Sequence, residues 1–235
     1  LYRPWNDAID EGWTRWLFEQ YEVPFKTLRD ADVRTGSLRS GFDVIVLPGI
    51  ASQRLIDGNR KGALPDEYVG GLGEAGVAAL KAFVEAGGTL VCIDGSAQLA
   101  IDALGLPVTN VVAGLPAEQF FCPGSIVRLD IDPSQPIGFG MLPQNAAFFS
   151  FSSAYEVTPG PDVRVVARYG AKDILMSGWL EGEQAIAGRA AVVEAKAGLG
   201  RAVLIGFRAQ HRGQSMATFR LLFNAILTGG AEQKR

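Results

Sequence analysis

One histidine, His211, and two cysteines, Cys92 and Cys122, are the whole stock of imidazole and thiol in 235 residues. A zinc centre built from several His and Cys ligands cannot be assembled from them, so no metal site is expected in this chain. The remaining chemistry gathers in three short stretches. In Leu47-Pro48-Gly49-Ile50 a Pro-Gly turn follows an apolar run. Such a turn can aim backbone N–H groups at an anion, or simply reverse the chain. In Ile93-Asp94-Gly95-Ser96-Ala97-Gln98 an apolar run passes abruptly into a helical pattern. A side chain on so sharp a turn, with helix N–H groups beside it, has the setting of a nucleophile and its oxyanion hole. Asp94 or Ser96 could hold that place, and both types also cap helices. Cys92 falls inside the run, where a cysteine reads as a small buried hydrophobe. The third stretch runs from Ile205 to Gln214 and carries Arg208, His211 and Arg212. A lone imidazole there could be a general base or a hydrogen-bonded structural group. The two arginines disfavour its protonated form and can pair with Asp94 or with a bound carboxylate.

These stretches must be positioned by the elements around them. Asn6 or Asp7 is the expected cap of a helix reaching about Tyr21, with Trp13, Trp16, Leu17 and Tyr21 as its buried face. Residues 43–47 and 89–93 are short, apolar and β-branched, and read as buried strands. Between them, 51–73 reads as a long loop with one short helix. A helix carrying Val77, Leu80, Phe83 and Val84 follows and stops at Gly87-Gly88. Residues 97–104 form a further short helix. Beyond about 108 the pattern turns strand-rich, with runs at 125–131, 163–169, 190–195 and 201–207. Gly198-Leu199-Gly200 joins the last two as a hairpin. A final helix over about 215–227 buries Phe219, Leu222, Phe223 and Ile226, and 231–235 is a polar tail. The expected fold class is α/β, a mostly parallel sheet flanked by helices with a strand-rich insertion in the second half, in one domain spanning 1–235. Ligands of such sheets sit beyond the carboxyl ends of the strands, where all three stretches fall.

The charge balance, 22 Lys and Arg against 25 Asp and Glu, gives a net charge of -3. No basic field exists to steer nucleic acid or an anionic membrane, so neither is an expected partner. No apolar run is long enough to span a bilayer.

The order of the Pro48-Gly49 turn, the 94–98 elbow and His211 resembles the flavodoxin-like class I glutamine amidotransferase fold. That resemblance implies an oxyanion turn at Gly49 and Ile50, a nucleophile at Asp94 or, with a shifted alignment, Ser96, and Gln98 beside it. Ile50 stands where active members carry a second glycine. No cysteine stands at the elbow, and Arg212-Gly213 replaces the usual Pro-Glu after the histidine. The amidotransferase machinery is therefore absent or rebuilt. A closer resemblance lies in Leu1-Tyr2-Arg3-Pro4-Trp5, Asp10 to Trp16, Phe121 to Ser125, Ser177 to Leu180 and Gly206 to Gln214. These are similar to the C-terminal domain of bacterial zinc carboxypeptidases of the carboxypeptidase A type. The resemblance implies that the chain is a C-terminal fragment and that any zinc belongs to a separate N-terminal peptidase domain. That domain and a homo-oligomer are the expected partners, and an extracytoplasmic location goes with such relatives.

Three functions follow as expectations. The first is a non-catalytic accessory domain that assists substrate binding or makes domain and oligomer contacts, with its tryptophans available as contact area. The second is a hydrolase or acyl-transfer enzyme using Ser96 or Asp94 with His211. The third is a carboxylate- or peptide-binding module using Gly49, Ile50, Asp94, Ser96, Gln98, Arg208, His211 and Arg212.

Overall fold

The computed structural model describes residues 1–231; residues 232–235 of the expected polar tail lie outside the described residues. In chain order the elements are α1 (Ile9–Gln20), α2 (Asp30–Arg34), β1 (Val44–Leu47), α3 (Ser52–Asp57), α4 (Gly73–Glu85), β2 (Thr89–Ile93) and α5 (Ala97–Leu104). There follow β3 (Val108–Asn110), β4 (Ser125–Ile131), β5 (Gln144–Phe149), β6 (Tyr155–Val157), β7 (Val163–Tyr169), β8 (Leu175–Ser177), β9 (Ala190–Ala197), β10 (Gly200–Ile205) and α6 (Met216–Ala231).

One sheet runs β1-β2-β10-β9-β7-β4-β5, with β3, β6 and β8 attached at its sides. Strands β1, β2 and β10 are parallel, with β2 in the middle: Val44 and Arg201 both stand opposite Thr89. The strand-rich insertion extends the same sheet through antiparallel pairs. The result is the mixed, helix-flanked α/β layering expected of a flavodoxin-like chain. Strands β2 and β10 read as nearly unbroken apolar runs because both of their faces are covered. Val91, Ile93, Val203 and Ile205 face α1 and α6, packing with Leu17, Phe18, Leu221 and Leu222. Leu90, Cys92, Ala202 and Leu204 face the other way, toward Leu55, Leu80, Phe83 and Leu99 of α3, α4 and α5. In contrast β4 alternates buried and half-buried residues, as a strand with one covered face must.

The β9–β10 hairpin closes on Gly198-Leu199, as the glycine spacing predicts, with Gly200 opposite Ala197. Here glycine is required by close approach. A Cβ on Gly200 would lie 2.2 Å from the carbonyl oxygens of both Gly88 and Val84. The loop after β1 holds one short α-helix, α3, a 3-10 turn at Asp66–Tyr68 and isolated bridges such as Asn59 with Gly70.

The first helix departs from its expected orientation. Its N-cap is Ala8, with no side-chain cap, while Asn6 instead donates to the carbonyl of Arg54. Its buried residues are Asp10, Glu11, Thr14, Leu17 and Phe18. Trp16 is 39% and Tyr21 55% exposed, and Trp13 is half-buried against Trp16 with ring centroids 5.9 Å apart. The helix is thus rotated so that polar side chains point inward, which is tolerable only because each finds a partner there. The last helix runs through the described residues to Ala231, beyond the expected stop near Leu227, and Phe223 and Ile226 are only half-buried.

The packing at the hairpin yields a stability test. Gly200→Ala should cost about 2 kcal/mol or more in denaturant unfolding, because backbone on both sides must move. Gly160→Ala, where a Cβ meets nothing within 4 Å, should stay within about 0.5 kcal/mol of the unsubstituted chain.

Candidate functional site

The carboxyl ends of β1, β2 and β10 converge on one guanidinium. Arg208, just past β10, donates from Nε to Asp10 Oδ2 at 2.6 Å. Its Nη2 lies 3.3 Å from Asp94 Oδ2, and its Nη1 donates to the Ser150 carbonyl at 3.3 Å. Asp10 comes from α1 and Asp94 from the turn between β2 and α5, so one side chain ties three elements and the β5–β6 loop together. Both carboxylates are buried, Asp94 at 4% exposure and Asp10 at 6%. Asp94 has φ of +50°, a left-handed conformation that Asp tolerates better than most residues. The abrupt strand-to-helix turn expected from the sequence is therefore real, and Asp94 is the residue on it.

Burial sets the protonation of this cluster. It pushes the Asp94 carboxyl up from 3.8 to about 7, against the pull of Arg208, and the nearby charge of Asp10 adds to the rise. Asp10 is also raised by burial, with Arg208 opposing. The Ser152 hydroxyl, on the same loop as Ser150, stabilises the Asp94 anion but does not reverse the shift.

The other expected residues divide between this cluster and its surroundings. The Ser96 hydroxyl is fully buried and donates to the Ile93 carbonyl at 2.8 Å, with the Leu47 carbonyl at 3.3 Å. It fastens the elbow to β1 and has no free path to a substrate. Gln98 donates to Asp102 one turn along α5. Ile50 is buried in the core cluster that faces α3, α4 and α5. Gly49 does adjoin the cluster: a Cβ there would come 2.7 Å from Asp10 Oδ2. A carboxylate oxygen thus stands against the turn that was expected to receive an oxyanion. The ring of His211 stacks on Phe148 at 3.9 Å and 22°. Burial, then Arg212 and Arg208, hold its pKa below the ordinary value, so it is neutral at neutral pH. Among the described residues no hydrogen bond joins His211 to Asp94 or Ser96. Arg212 is exposed, with φ of +49°, and lies outside the ion cluster.

Asp10, Thr14, Ser150, Ser152 and Gln210 were not among the expected site residues, although Asp10, Thr14 and Gln210 fall in stretches the sequence singled out. Gln210 is fully buried and donates to Thr14 Oγ1 at 2.9 Å, while Thr14 donates to the Asp10 carbonyl at 2.6 Å. A signal was present: Asp10 and Thr14, four residues apart, share the face that carries Leu17 and Phe18. Polar residues on an apolar stripe call for buried partners. Among the described residues no group of three or more His, Cys, Asp and Glu side chains could hold a metal ion.

Solved structures place this arrangement in context. A GMP synthase protein from Thermoplasma acidophilum aligns over 99% of this chain and 94% of its own, at 13% identity and a TM-score of 0.60. The chain has a glutamine amidotransferase-like fold. A ThuA-like protein from Parabacteroides merdae aligns with this amidotransferase-like chain over 98% of its length and 88% of its own, at 12% identity and a TM-score of 0.58. A GH42 β-galactosidase from G. stearothermophilus aligns over 94% of the chain but only 25% of its own length, at 14% identity and a TM-score of 0.53. No protein-family model and no curated protein matches the sequence.

Two outcomes follow from the ion cluster. The folded chain holds the Asp94 proton to about pH 7, whereas the unfolded chain loses it near 3.8. The folded state therefore binds more protons between these values, so stability should fall as pH rises from about 4 to about 7, then level off. The fall from Asp94 should be roughly 4 kcal/mol and should be largely lost in Asp94→Asn, with a smaller remainder of the same sign from Asp10, as read by urea unfolding at several pH values. Arg208→Met leaves two buried carboxyls without the cation that lowers their pKa values and should cost about 3–5 kcal/mol at pH 8.

Proposed function

We propose that this chain is a non-catalytic amidotransferase-like accessory domain, acting through binding and domain contacts. The observation that carries the reading is the bridge Asp10–Arg208–Asp94, which fills the strand-end site with the protein's own charges. A nucleophile needs a base within hydrogen-bond reach and an oxyanion needs donors at its future position. Here Asp10 stands at the oxyanion turn, Ser96 is spent on backbone carbonyls and His211 lies on Phe148. A free carboxylate ligand would have to displace Asp94 or Asp10 from Arg208, which weighs against the carboxylate-binding alternative at this site.

The accessory role agrees with the use of this fold as a quarter of a longer chain in the β-galactosidase. Attachment to a zinc carboxypeptidase rests on the sequence resemblance of residues 1–5, 10–16, 121–125, 177–180 and 206–214. On that reading zinc and peptidase chemistry belong to the other domain. Exposed aromatic residues suit such contacts: Phe151 and Trp179 both pack edge-on against Phe121, at 5.9 and 5.7 Å.

A rebuilt hydrolase is the second reading, favoured by Asp94 itself. A carboxyl on a left-handed elbow, titrating near 7, has the protonation range of a general acid or base. The experiment that separates the readings offers the purified chain glutamine, an activated ester and a C-terminal peptide. No turnover above that of Asp94→Asn and His211→Ala is expected. Turnover that either substitution abolishes would establish a working site and overturn the accessory reading.

A further inference from the structure

An elongated apolar groove runs along the β1 edge of the sheet, away from Arg208. It consists of two cavities of about 540 and 360 Å³ that share Val23 and Ile226 as walls. Phe25, Phe42 and Val44 line the larger one, and Phe223 and Leu227 the smaller. Volumes of this size suit a small ligand, and the walls are those of an apolar one. Leu227 is 69% exposed, so the groove opens to solvent at the α6 end.

The polar groups at its walls are unequal. Arg220 and Asn224 at the α6 end are bound to the carbonyls of Gly140, Ile137 and Phe139. Asp43 at the sheet edge is paired with Arg39 at 3.1 Å. Lys26 also lines the larger cavity, and among the described residues its ammonium has no hydrogen bond or ion pair. Among the described residues Lys26 is thus the one lysine or arginine of the cleft whose side chain has no bonded partner, beside walls that are mostly apolar. We propose that the groove binds a medium-chain carboxylate, its alkyl tail along Val23 and Ile226 and its anionic head at Lys26. The match is one of charge and shape: a negative head for the Lys26 ammonium, with the Leu1 ammonium on the same cavity, and a flexible tail for walls that lead from the sheet edge to α6. A long Lys side chain can follow the head while its methylenes cover the cleft.

Calorimetric titration of the intact chain with octanoate and with 1-octanol tests this. Saturable binding of both is expected, tighter for octanoate. Lys26→Ala should weaken octanoate about fivefold and leave 1-octanol unchanged, since an exposed ion pair is worth about 1 kcal/mol. Val23→Trp, which fills the shared waist, should abolish binding of both while circular dichroism stays unchanged. Lys26 is exposed, so its substitution tests the head group even if Val23→Trp does not fold. No saturable heat with either probe, or octanoate binding indifferent to Lys26→Ala, would overturn the proposal. So would a concentration-dependent dimer that Leu227→Glu disperses in a chain that binds neither probe, for the groove would then be a contact between copies.

Discussion

Arg208 is asked to neutralise two carboxylates that burial has made costly to ionise. Removing a carboxylate from water is expensive, and attraction to a buried cation repays that only with good geometry. Asp10 has that geometry at 2.6 Å, while Asp94, at 3.3 Å and nearly inaccessible, does not fully regain its loss and stays protonated up to about pH 7. The rotation of α1 follows from this pairing. Asp10 can reach Arg208 only if the helix presents Asp10, Thr14 and Leu17 inward, and Trp16 is turned toward solvent as a result. The buried Gln210–Thr14 bond depends on the same rotation.

The charges at the carboxyl ends of β1, β2 and β10 are therefore engaged with one another. Ser96 holds the turn to β1, Phe148 holds the imidazole, and a carboxylate faces the turn that would otherwise offer N–H groups to an anion.

The parts of the fold that were legible in the sequence are those whose signal is local. Strand β2 and helix α5 were bounded to the residue because an apolar run, a sharp turn and a helical stripe follow one another without interruption. The hairpin of β9 and β10 was marked by its own glycines. Strands β3, β5, β6 and β8 were missed. Three of these have only three residues, and every residue of β8 is exposed, so they carry no burial pattern to read. At the site, Asp94 and Arg208 were legible as a potential pair because both lie at strand ends. Asp10 was not, since its partner lies 198 positions away in the chain. The tryptophans of α1 were misplaced because apolar spacing assigns the bulkiest residues inward, and only the distant polar partners decide otherwise.

The position of β10 has a consequence for how the molecule is assembled. Strand β2 has one neighbour made early, β1, and another, β10, made after the whole insertion, with Thr89 facing Arg201. Closing so long a loop before any pairing rewards it is slow, and such distant contacts retard folding. During synthesis the first half of the sheet must wait with one flank of β2 open. Arg208 lies beyond β10, so a nascent chain with its first strands and helices complete still lacks the charge that balances Asp10 and Asp94. The centre that anchors the finished molecule is among the last parts of it to form.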